Sequence, residues 1–484
     1  MKQSRRKYAG RTLGIIGGLG SLAGGDLFLK LLKTEPVLAD QGRYHLLFEQ
    51  HPFKDLSLPL SADASMTSRK LYVFQVCQGY AQSDADAVLI PCFASHTFID
   101  ELKAELDIPI VDMMQGLKCH LSALAEPGTR LGILASDYVR AAGLFEKHLG
   151  DDFELVYPCE VSQVALMQAV YGPAGIKAGY LDGAAIEMLH QVCLDLKSQG
   201  VTLLLPGMTE ISLVVAELLR RGIDCIDVNQ VYAEFATATE SPRTGPSFKL
   251  GIVGGVGPAA TVDFMGKVVK NTPAGRDQDH IKMVVEQNPQ IPDRTANLLH
   301  NATDPTVAMY STCKRLEDEG ADAIAIPCNT AHAYVERIQD HLRIPIINML
   351  TETIDFIQRT YGSSRQVGLL ATSGTLQSRV YHCAAERVGL DLLVPDDAAQ
   401  ALVMRSIYGE RGVKAGHTSG PCKDDLLTAA AHLVECGATI LILGCTELPL
   451  VLPQSDGLLI GTTRVALVDP TTVLAQRCVA LALA

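Results

Sequence analysis

The sequence predicts an α/β fold of two tandem domains, each built from two doubly wound parallel-sheet subdomains with a site in the cleft between them. Three observations lead to this fold class. Short apolar runs alternate with amphipathic stretches of helical period, the first half of the chain recurs in the second half, and a polar, proline-containing segment separates the halves. A chain of 484 residues, 48% of them hydrophobic, is long enough for the several buried cores this architecture needs.

The two halves of the chain are related by a long internal repeat. Residues 13–20 (LGIIGGLG) recur at 250–257 (LGIVGGVG), an offset of 251 − 14 = 237. Further pairs keep this register: Cys92 with Cys328 (328 − 92 = 236), Tyr171 with Tyr408, Lys177 with Lys414, and Met208 with Cys445 (445 − 208 = 237). A period of this length indicates a duplicated domain and is far too long for a solenoid.

The boundary between the copies is predicted within residues 237–247 (TATESPRTGPS). This segment is small, polar and interrupted by prolines, as interdomain linkers are. We therefore place the two domains at residues 1–240 and 247–484.

Within the second domain, glycine-bounded apolar runs predict strands, and the amphipathic stretches at 306–319 and 423–436 predict helices between them. This alternation is typical of a parallel sheet, in which ligands bind beyond the carboxyl ends of the strands. The predicted strands are 249–254, 281–286, 322–327, 344–348, 366–371, 391–394 and 439–443.

The composition argues against some classes of binding partner and indicates a cellular compartment. The net charge of −13 argues against nucleic acid or an anionic membrane as the main partner. No apolar run approaches the roughly 18 residues of a membrane span, and the basic start of the chain lacks the apolar core of a signal peptide. Thirteen cysteines, an odd number, indicate reduced thiols in the cytoplasm. No Cys-x-x-Cys or His-x-x-x-His spacing supports a metal site.

Two cysteines are the candidates for catalysis. Cys328 follows a predicted strand in 325–332 (AIPCNTAH), and Cys445 follows another in 441–447 (LILGCTE). We expect a helix to begin after Cys328, where backbone N–H groups would lower the thiol pKa from about 8.5 and hold a carboxylate, and we expect the segment after Cys445 to repeat this arrangement. Because 445 − 328 = 117 residues separate them, the thiols are expected on different subdomains facing one cleft.

Two thiols on opposite sides of one carbon can remove a proton from one face and return it to the other. That is the minimal equipment for racemising an amino acid without a cofactor. The alternative for either cysteine alone is a buried structural residue.

Six segments of the second domain resemble the cofactor-independent aspartate/glutamate racemases, specifically the aspartate racemase branch, over nearly the full length of the domain. Together they make the resemblance specific, whereas any one alone would be weak. The segments are 254–261 (GGVGPAAT), 288–295 (NPQIPDRT), 327–332 (PCNTAH), 369–375 (LLATSGT), 413–416 (VKAG) and 444–447 (GCTE).

The resemblance implies roles for the residues in these segments. Cys328 and Cys445 would be the acid/base pair, and Asn329 and Thr330 would hold the α-carboxylate of a small amino-acid substrate. No cofactor or metal is implied. Four further residues are expected in the substrate site: Arg294, Thr446, Pro292 and Asp293.

Arg294 and Lys414 would contact the side-chain carboxylate of the substrate or its surroundings. An arginine fork suits a carboxylate because it can bind both oxygens. The alternative for either cation is a solvated surface charge. His332 could orient the cysteine region or lie on the surface, and Tyr408 could serve packing or function. Residues 372–375 form either a hydroxyl-lined substrate loop or a simple turn.

The first domain departs from the pattern at the positions that matter. Phe93 and Ala94 replace Asn329 and Thr330, and Met208, a thioether without a proton, replaces Cys445. We therefore predict that the first domain does not racemise. It would serve as an internal pseudo-dimer partner or bind a different small molecule, and the chain could also form a homo-oligomer.

The position of Arg294 is also altered in the first domain. Counting back from Cys92 reaches Ser57 or Leu58, with Lys54 nearby as a substitute cation.

Two kinds of rival function remain open, one enzymatic and one not. Within the same superfamily, a decarboxylase, an isomerase or a hydantoin racemase would share the fold and use one or two cysteines. A carboxylate-binding pseudoenzyme is the non-enzymatic alternative.

Residues 255–260 (GVGPAA) formally fit a dinucleotide fingerprint, but Pro258 removes a backbone N–H where phosphate would bind, and the acidic Glu286 comes late.

Overall fold

A computed structural model of the chain describes residues 10–40, 43–50, 60–238, 248–362 and 366–484. The chain divides into two compact units, Met1–Pro246 and Ser247–Ala484, called here the first and second units. Part of the predicted linker, Thr237 and Ala238, still belongs to the helix Val228–Ala238. Residues 239–247 lie outside the described residues.

The first unit contains two parallel sheets. Its strands are β1 (Arg11–Ile16), β2 (Tyr44–Glu49), β3 (Ala87–Leu89), β4 (Ile110–Val111), β5 (Arg130–Ala135), β6 (Glu154–Val156) and β7 (Leu203–Gly207). One sheet has the order β2-β1-β3-β4 and the other the order β6-β5-β7. The two inner strands β1 and β3 pair in parallel, so their carboxyl ends share one sheet edge.

Helices follow most strands of the first unit. They are α1 (Ser21–Leu32), α2 (Glu35–Ala39), α3 (Thr67–Gln82), α4 (Phe93–His96), α5 (Ile99–Glu105), α6 (Met113–Leu124), α7 (Asp137–Ala141), α8 (Leu144–Leu149), α9 (Glu160–Tyr171), α10 (Ala184–Ser198), α11 (Val215–Arg220) and α12 (Val228–Ala238), with 3-10 helices at Ile176–Ala178 and Thr209–Leu213.

The second unit repeats this plan and extends one sheet. Its strands are β8 (Lys249–Gly254), β9 (Lys282–Gln287), β10 (Ala323–Ala325), β11 (Ile346–Ile347), β12 (Val367–Ala371), β13 (Leu392–Leu393), β14 (Ile440–Gly444), β15 (Ser455–Ile460) and β16 (Thr463–Val468). The sheets have the orders β11-β10-β8-β9 and β13-β12-β14-β16-β15. Pairing is parallel except between β15 and β16.

Helices again connect the strands of the second unit. They are α13 (Pro258–Asn271), α14 (Arg294–His300), α15 (Thr306–Asp318), α16 (Val335–Gln339), α17 (Met349–Tyr361), α18 (Ser373–Gln377), α19 (Val380–Glu386), α20 (Asp397–Tyr408), α21 (Pro421–Glu435) and α22 (Pro470–Ala482), with 3-10 helices at Asp277–Asp279, Thr330–Tyr334, Val413–Ala415 and Leu448–Leu450.

The α/β fold class with two repeats is confirmed, and each of the seven predicted strands forms. The sequence analysis missed the hairpin β15–β16. β15 lies at the edge of its sheet, and its residues are mostly half-exposed or exposed, so its apolar pattern is weak. Helix α21 begins two residues before its predicted start because Pro421 occupies its first turn, where a missing N–H costs no helical hydrogen bond.

Both faces of the sheets in the second unit are buried, as a doubly wound fold requires. Along β8, Leu250 and Ile252 belong to one apolar cluster, whereas Val253 belongs to another. Along β14, Leu441 and Ile442 likewise separate into two clusters. Alternation of side chains between two apolar layers explains why these strands are continuous apolar runs.

Three further properties concern the chain as described. No helix among the described residues is both long and apolar enough to cross a membrane. All thirteen cysteines are free thiols. Within the described ranges, no group of three or more His, Cys, Asp or Glu side chains is arranged to hold a metal ion.

Candidate active site

The two candidate cysteines of the second unit lie at the carboxyl ends of inner strands in two different sheets. Cys328 follows β10 and Cys445 directly follows β14. Each is 7% exposed. Both line one cleft, together with Asp293, Arg294, Asn329, Thr330, Lys414, Thr446 and Glu447. Of the predicted site residues, only Pro292 stays out of the lining; its carbonyl oxygen accepts a hydrogen bond from Arg294.

The segments after the cysteines differ from the expected helix starts. Cys328 leads into the five-residue 3-10 helix Thr330–Tyr334, and Cys445 leads into the three-residue 3-10 helix Leu448–Leu450. Such short turns carry little of a helix macrodipole. Side chains, rather than a helix end, set the electrostatics of this cleft.

Cys445 is held as a protonated thiol by a buried carboxylate. Its Sγ donates to Glu447 Oε2 at 3.0 Å. Burial raises the pKa of Cys445 well above its ordinary value, and the negative charge of Glu447 raises it further, although Lys414 acts in the opposite direction. The sequence analysis expected a lowered thiol pKa, and for Cys445 this is wrong because no anion-stabilising helix end outweighs burial and Glu447.

Lys414 completes this arrangement from the opposite side of Glu447. Its Nζ donates to Glu447 Oε1 at 2.6 Å, and its side chain is 30% exposed. Burial alone would raise the pKa of Glu447, but Lys414 and the hydrogen bond from Cys445 lower it below its usual value. Lys414 is therefore a cleft residue paired with Glu447 rather than a free surface charge.

Arg294 brings a buried guanidinium beside Cys328. It opens helix α14 directly after the N-cap Asp293, and its terminal nitrogens donate to the backbone carbonyls of Val256, Ile291 and Pro292. Burial alone would lower the pKa of Arg294, but the charges of Cys328 and Asp293 and a hydrogen bond to Cys328 together outweigh burial, and the pKa is raised. Its Nε is buried and has no hydrogen-bond partner.

Asn329 presents an unused donor in the same cleft. Its Oδ1 accepts from the hydroxyl of Tyr381 at 2.6 Å, whereas its Nδ2 is buried and has no partner. A buried donor without a partner is costly, so this atom is poised for an acceptor that enters the cleft. The sequence analysis did not identify Tyr381, which fixes the orientation of the amide.

Threonine hydroxyls form a connected patch beside Asn329. Thr330 Oγ1 lies 2.8 Å from Thr375 Oγ1 and 3.2 Å from Thr372 Oγ1. Thr372 is also the N-cap of α18 and accepts from the backbone N–H of Thr375. The 372–375 segment is therefore both a capping turn and part of the site. Tyr408 joins the patch by donating to Thr295 Oγ1 at 3.3 Å.

His332 supports Cys328 from behind. The backbone N–H of Met349 donates to His332 Nε2 at 3.1 Å, so Nδ1 carries the proton and donates to the carbonyl oxygen of Cys328 at 2.9 Å. Burial lowers the pKa of His332 and favours this neutral form. His332 is thus a buried positioning residue and not a surface group.

The glycine-rich loop after β8 borders the cleft instead of forming a phosphate cradle. Gly257 has a φ of +129°, and a Cβ added there would lie 3.0 Å from Glu447 Oε1. A carboxylate at this distance would repel a pyrophosphate. The glycine therefore allows a close approach of the loop to Glu447.

The first unit keeps part of this arrangement. Cys92 follows β3, Met208 follows β7, and Lys177 forms an ion pair with Glu210, as Lys414 does with Glu447. His96 repeats the role of His332 by bridging the Cys92 carbonyl and the Met113 N–H. Phe93, Ala94 and Met208 stand at the positions of Asn329, Thr330 and Cys445.

A guanidinium also lies beside Cys92, which the sequence analysis missed. Arg69, in α3, donates to Cys92 Sγ at 3.1 Å. Ser57 and Leu58, the positions expected to match Arg294, lie outside the described residues, as does Lys54, the expected substitute cation. Arg69 precedes its cysteine by 92 − 69 = 23 residues, whereas Arg294 precedes Cys328 by 328 − 294 = 34, so register alone could not identify it.

Comparisons with known proteins agree with this organisation. The family model described as Asp/Glu/Hydantoin racemase matches residues 16–236 and again residues 253–478. The chain is 28% identical over 241 residues to the broad specificity amino-acid racemase RacX of Bacillus subtilis (strain 168), covering 49% of this chain and 98% of the relative.

Two further similarities concern a glutamate racemase and a solved structure. The glutamate racemase of Koribacter versatilis (strain Ellin345) is 31% identical over 155 residues, covering 31% of this chain and 50% of the relative. The structure of the Picrophilus torridus aspartate racemase shows 30% identity, covers 49% of this chain and 94% of its own, and has a TM-score of 0.41. The family model covers most of both units, and the chain therefore belongs to the Asp/Glu/hydantoin racemase family of isomerases, with the family's domain present twice.

Proposed function

We propose that the second unit racemises an acidic amino acid, aspartate or glutamate, by a two-base mechanism without a cofactor. One observation carries the proposal: two thiols from different sheets, Cys328 and Cys445, line a single cleft that also holds unpaired buried donors. Two acid/base groups on opposite sides of a substrate are what inversion at an α-carbon needs.

The surroundings of the two thiols support complementary starting states. Cys445 donates its proton to Glu447, which favours the thiol form. A thiolate at Cys328 would be stabilised by the adjacent guanidinium of Arg294. In one direction, Cys328 would take the α-proton while Cys445 delivers its own to the opposite face, leaving Cys328 as thiol and Cys445 as thiolate. The reverse direction exchanges these roles.

The unpaired donors support a substrate that carries carboxylates. Asn329 Nδ2, which has no partner, and the neighbouring Thr330 hydroxyl would hold the α-carboxylate and stabilise the charge that develops as the α-proton leaves. Lys414 is already paired with Glu447, whereas Arg294 has no carboxylate partner within the described residues. We therefore assign the side-chain carboxylate of the substrate to Arg294.

Proton exchange at the α-carbon is the first test of the activity. The full chain in deuterated water is incubated with L-aspartate, L-glutamate and a panel of neutral L-amino acids, and deuterium wash-in is followed by NMR alongside optical rotation. The neutral panel is needed because one relative is named a broad specificity amino-acid racemase. Exchange with decaying rotation, fastest for an acidic amino acid, is expected. No exchange with any amino acid would favour a decarboxylase, another isomerase or a binding protein.

Cysteine substitutions test the mechanism. Cys328→Ser and Cys445→Ser should each lower the rate of racemisation by about 10²–10⁴-fold or more, because a serine hydroxyl is a far weaker acid than a thiol and is not ionised near neutral pH to act as a base. Cys436→Ser, which changes an exposed thiol at the end of α21, is the matched control and should keep the wild-type rate. Undiminished racemisation in Cys445→Ser would refute the two-thiol mechanism.

A further inference from the structure

The cleft of the first unit contains a buried cation that no carboxylate of the described residues pairs with. Arg69 is 3% exposed, its only hydrogen bond to a described residue goes to Cys92 Sγ, and its buried Nε has no partner among them. Burying an uncompensated charge is unfavourable, so such a group is normally matched by an anion. None of the carboxylates in the described part of the chain provides one.

The other charges of this cleft leave one positive charge unbalanced. Lys177 also lines the cleft but is neutralised by its ion pair with Glu210, whose side chain is 6% exposed. Among the described residues of this cleft, Arg69 then remains as the single net positive charge. A ligand that fits this balance carries one negative charge.

The walls of the cleft are more apolar than those of the second unit. Phe93 and Met208 line this cleft where Asn329 and Cys445 line that of the second unit. Val139 also lines it, at the position of Thr375, which in the second unit is hydrogen-bonded to the cleft residue Thr330. Val139 and Thr375 are equivalent because they make the same local contact. The backbone N–H of Val139 donates to the hydroxyl of the N-cap Ser136, and that of Thr375 donates to the hydroxyl of the N-cap Thr372. The cleft is still present although Phe93 and Met208 are larger than Asn329 and Cys445.

We propose that the first unit is a binding site for a small monocarboxylic acid with an apolar body, and that it binds this ligand without racemising it. The carboxylate would lie against Arg69 beside Cys92, where a guanidinium can offer two parallel donors. The apolar body would contact Phe93, Val139 and Met208. This assignment is independent of the racemase activity proposed for the second unit.

Protection of Cys92 from alkylation locates binding in the first unit. Cys92 is half-buried and borders the cleft, whereas Cys159 is exposed in the same unit at the start of α9, away from the cleft lining. The full chain is treated with iodoacetamide alone and with acetate, 3-methylbutanoate or 3-methylbutanamide, and the modified peptides are quantified by mass spectrometry. Saturating 3-methylbutanoate should slow alkylation of Cys92 at least tenfold, acetate less, and the amide not at all, with Cys159 unchanged throughout.

Titration calorimetry measures the same binding without using the thiol. The wild-type chain should bind 3-methylbutanoate, and Arg69→Gln should weaken this binding at least tenfold, with circular dichroism verifying its fold. If Arg69→Gln does not fold, Arg69→Lys takes its place, and the comparison of acid with amide on the wild type needs no variant. Protection by neither carboxylate, or equal effects of acid and amide, would overturn the proposal.

Discussion

At the scale of single residues, the two thiols of the second unit lie in opposite electrostatic surroundings. Cys445 contacts a carboxylate, and Cys328 lies beside a guanidinium. The sequence motifs located both thiols and nearly all the polar residues of the cleft, because most of these residues belong to short motifs. The motifs could not indicate the protonation of Cys445, because that depends on burial and on Glu447 and Lys414 meeting in space.

Replacing Glu447 should change the pH dependence of racemisation. Glu447→Gln removes the negative charge that raises the pKa of Cys445 and leaves Lys414, which lowers it, unpaired. The pKa of Cys445 should therefore fall, and the direction in which Cys445 acts as the acid should lose activity at lower pH than in the wild type. The alkaline limb of kcat/KM in each direction measures this. An unmoved alkaline limb would show that Glu447 does not control this thiol.

Asn329 should matter through its free amide nitrogen. Asn329→Asp keeps an oxygen for Tyr381 but replaces the donor with a negative charge, so kcat/KM should fall by at least about 10–100-fold, the value of a hydrogen bond to a charged group. Tyr381→Phe, which removes only the group that orients the amide, should have a smaller effect. If Tyr381→Phe proves the more damaging change, Asn329 acts through packing rather than through its donor.

At the scale of elements, the strands were predictable and the details of their ends were not. Alternation between two buried layers makes β8 and β14 continuous apolar runs, which sequence patterns detect. The 3-10 helix Thr330–Tyr334 was expected as a regular helix start, because its residues are compatible with both. The link from this segment to α17 runs through His332, a tertiary contact that no local pattern encodes.

His332 should make the stability of the second unit sensitive to acid. Burial lowers its pKa in the folded state below the unfolded value of about 6.5, so the unfolded chain binds more protons in that range. Stability should therefore fall as the pH drops below about 6.5. Urea unfolding followed by circular dichroism at pH 7.5 and pH 5.5 measures this loss.

A non-titrating replacement provides the control. His332→Gln should cost about 1–3 kcal/mol at pH 7.5 through its weakened hydrogen bonds, yet lose less stability on acidification than the wild type. His96→Gln is the matched change in the first unit, where burial also lowers the histidine pKa. Equal acid sensitivity of the wild type and both variants would exclude these histidines as the cause.

At the scale of the whole chain, one copy of the domain holds two thiols in its cleft and the other holds one. A thioether at Met208 is not the only difference, because Phe93 and Ala94 also remove the polar groups that Asn329 and Thr330 supply. The repeat and these substitutions were readable from sequence. Arg69 was not, because its separation from the cysteine along the chain differs from that of Arg294.

Restoring the missing thiol should not restore racemisation. In a Cys445→Ser background, Met208→Cys gives the first unit two cysteines in its cleft but leaves its apolar walls unchanged. Deuterium wash-in with L-aspartate or L-glutamate should stay at the level of Cys445→Ser alone. Recovery of more than a few per cent of the wild-type rate would mean that the thiol was the only group the first unit lacked.

The displaced arginine affects how duplicated enzymes are compared. In an alignment of the two halves, Arg294 stands opposite residue 58, which is not a cation. Compared position by position, the first copy therefore has lost this positive charge. When the side chains around the cysteine are compared instead, the positive charge is retained, and a different helix supplies it. A domain copy that an alignment marks as degenerate can thus keep the charge of its site. Such copies are better compared by the atoms around a residue that both retain, here the cysteine, than by aligned positions.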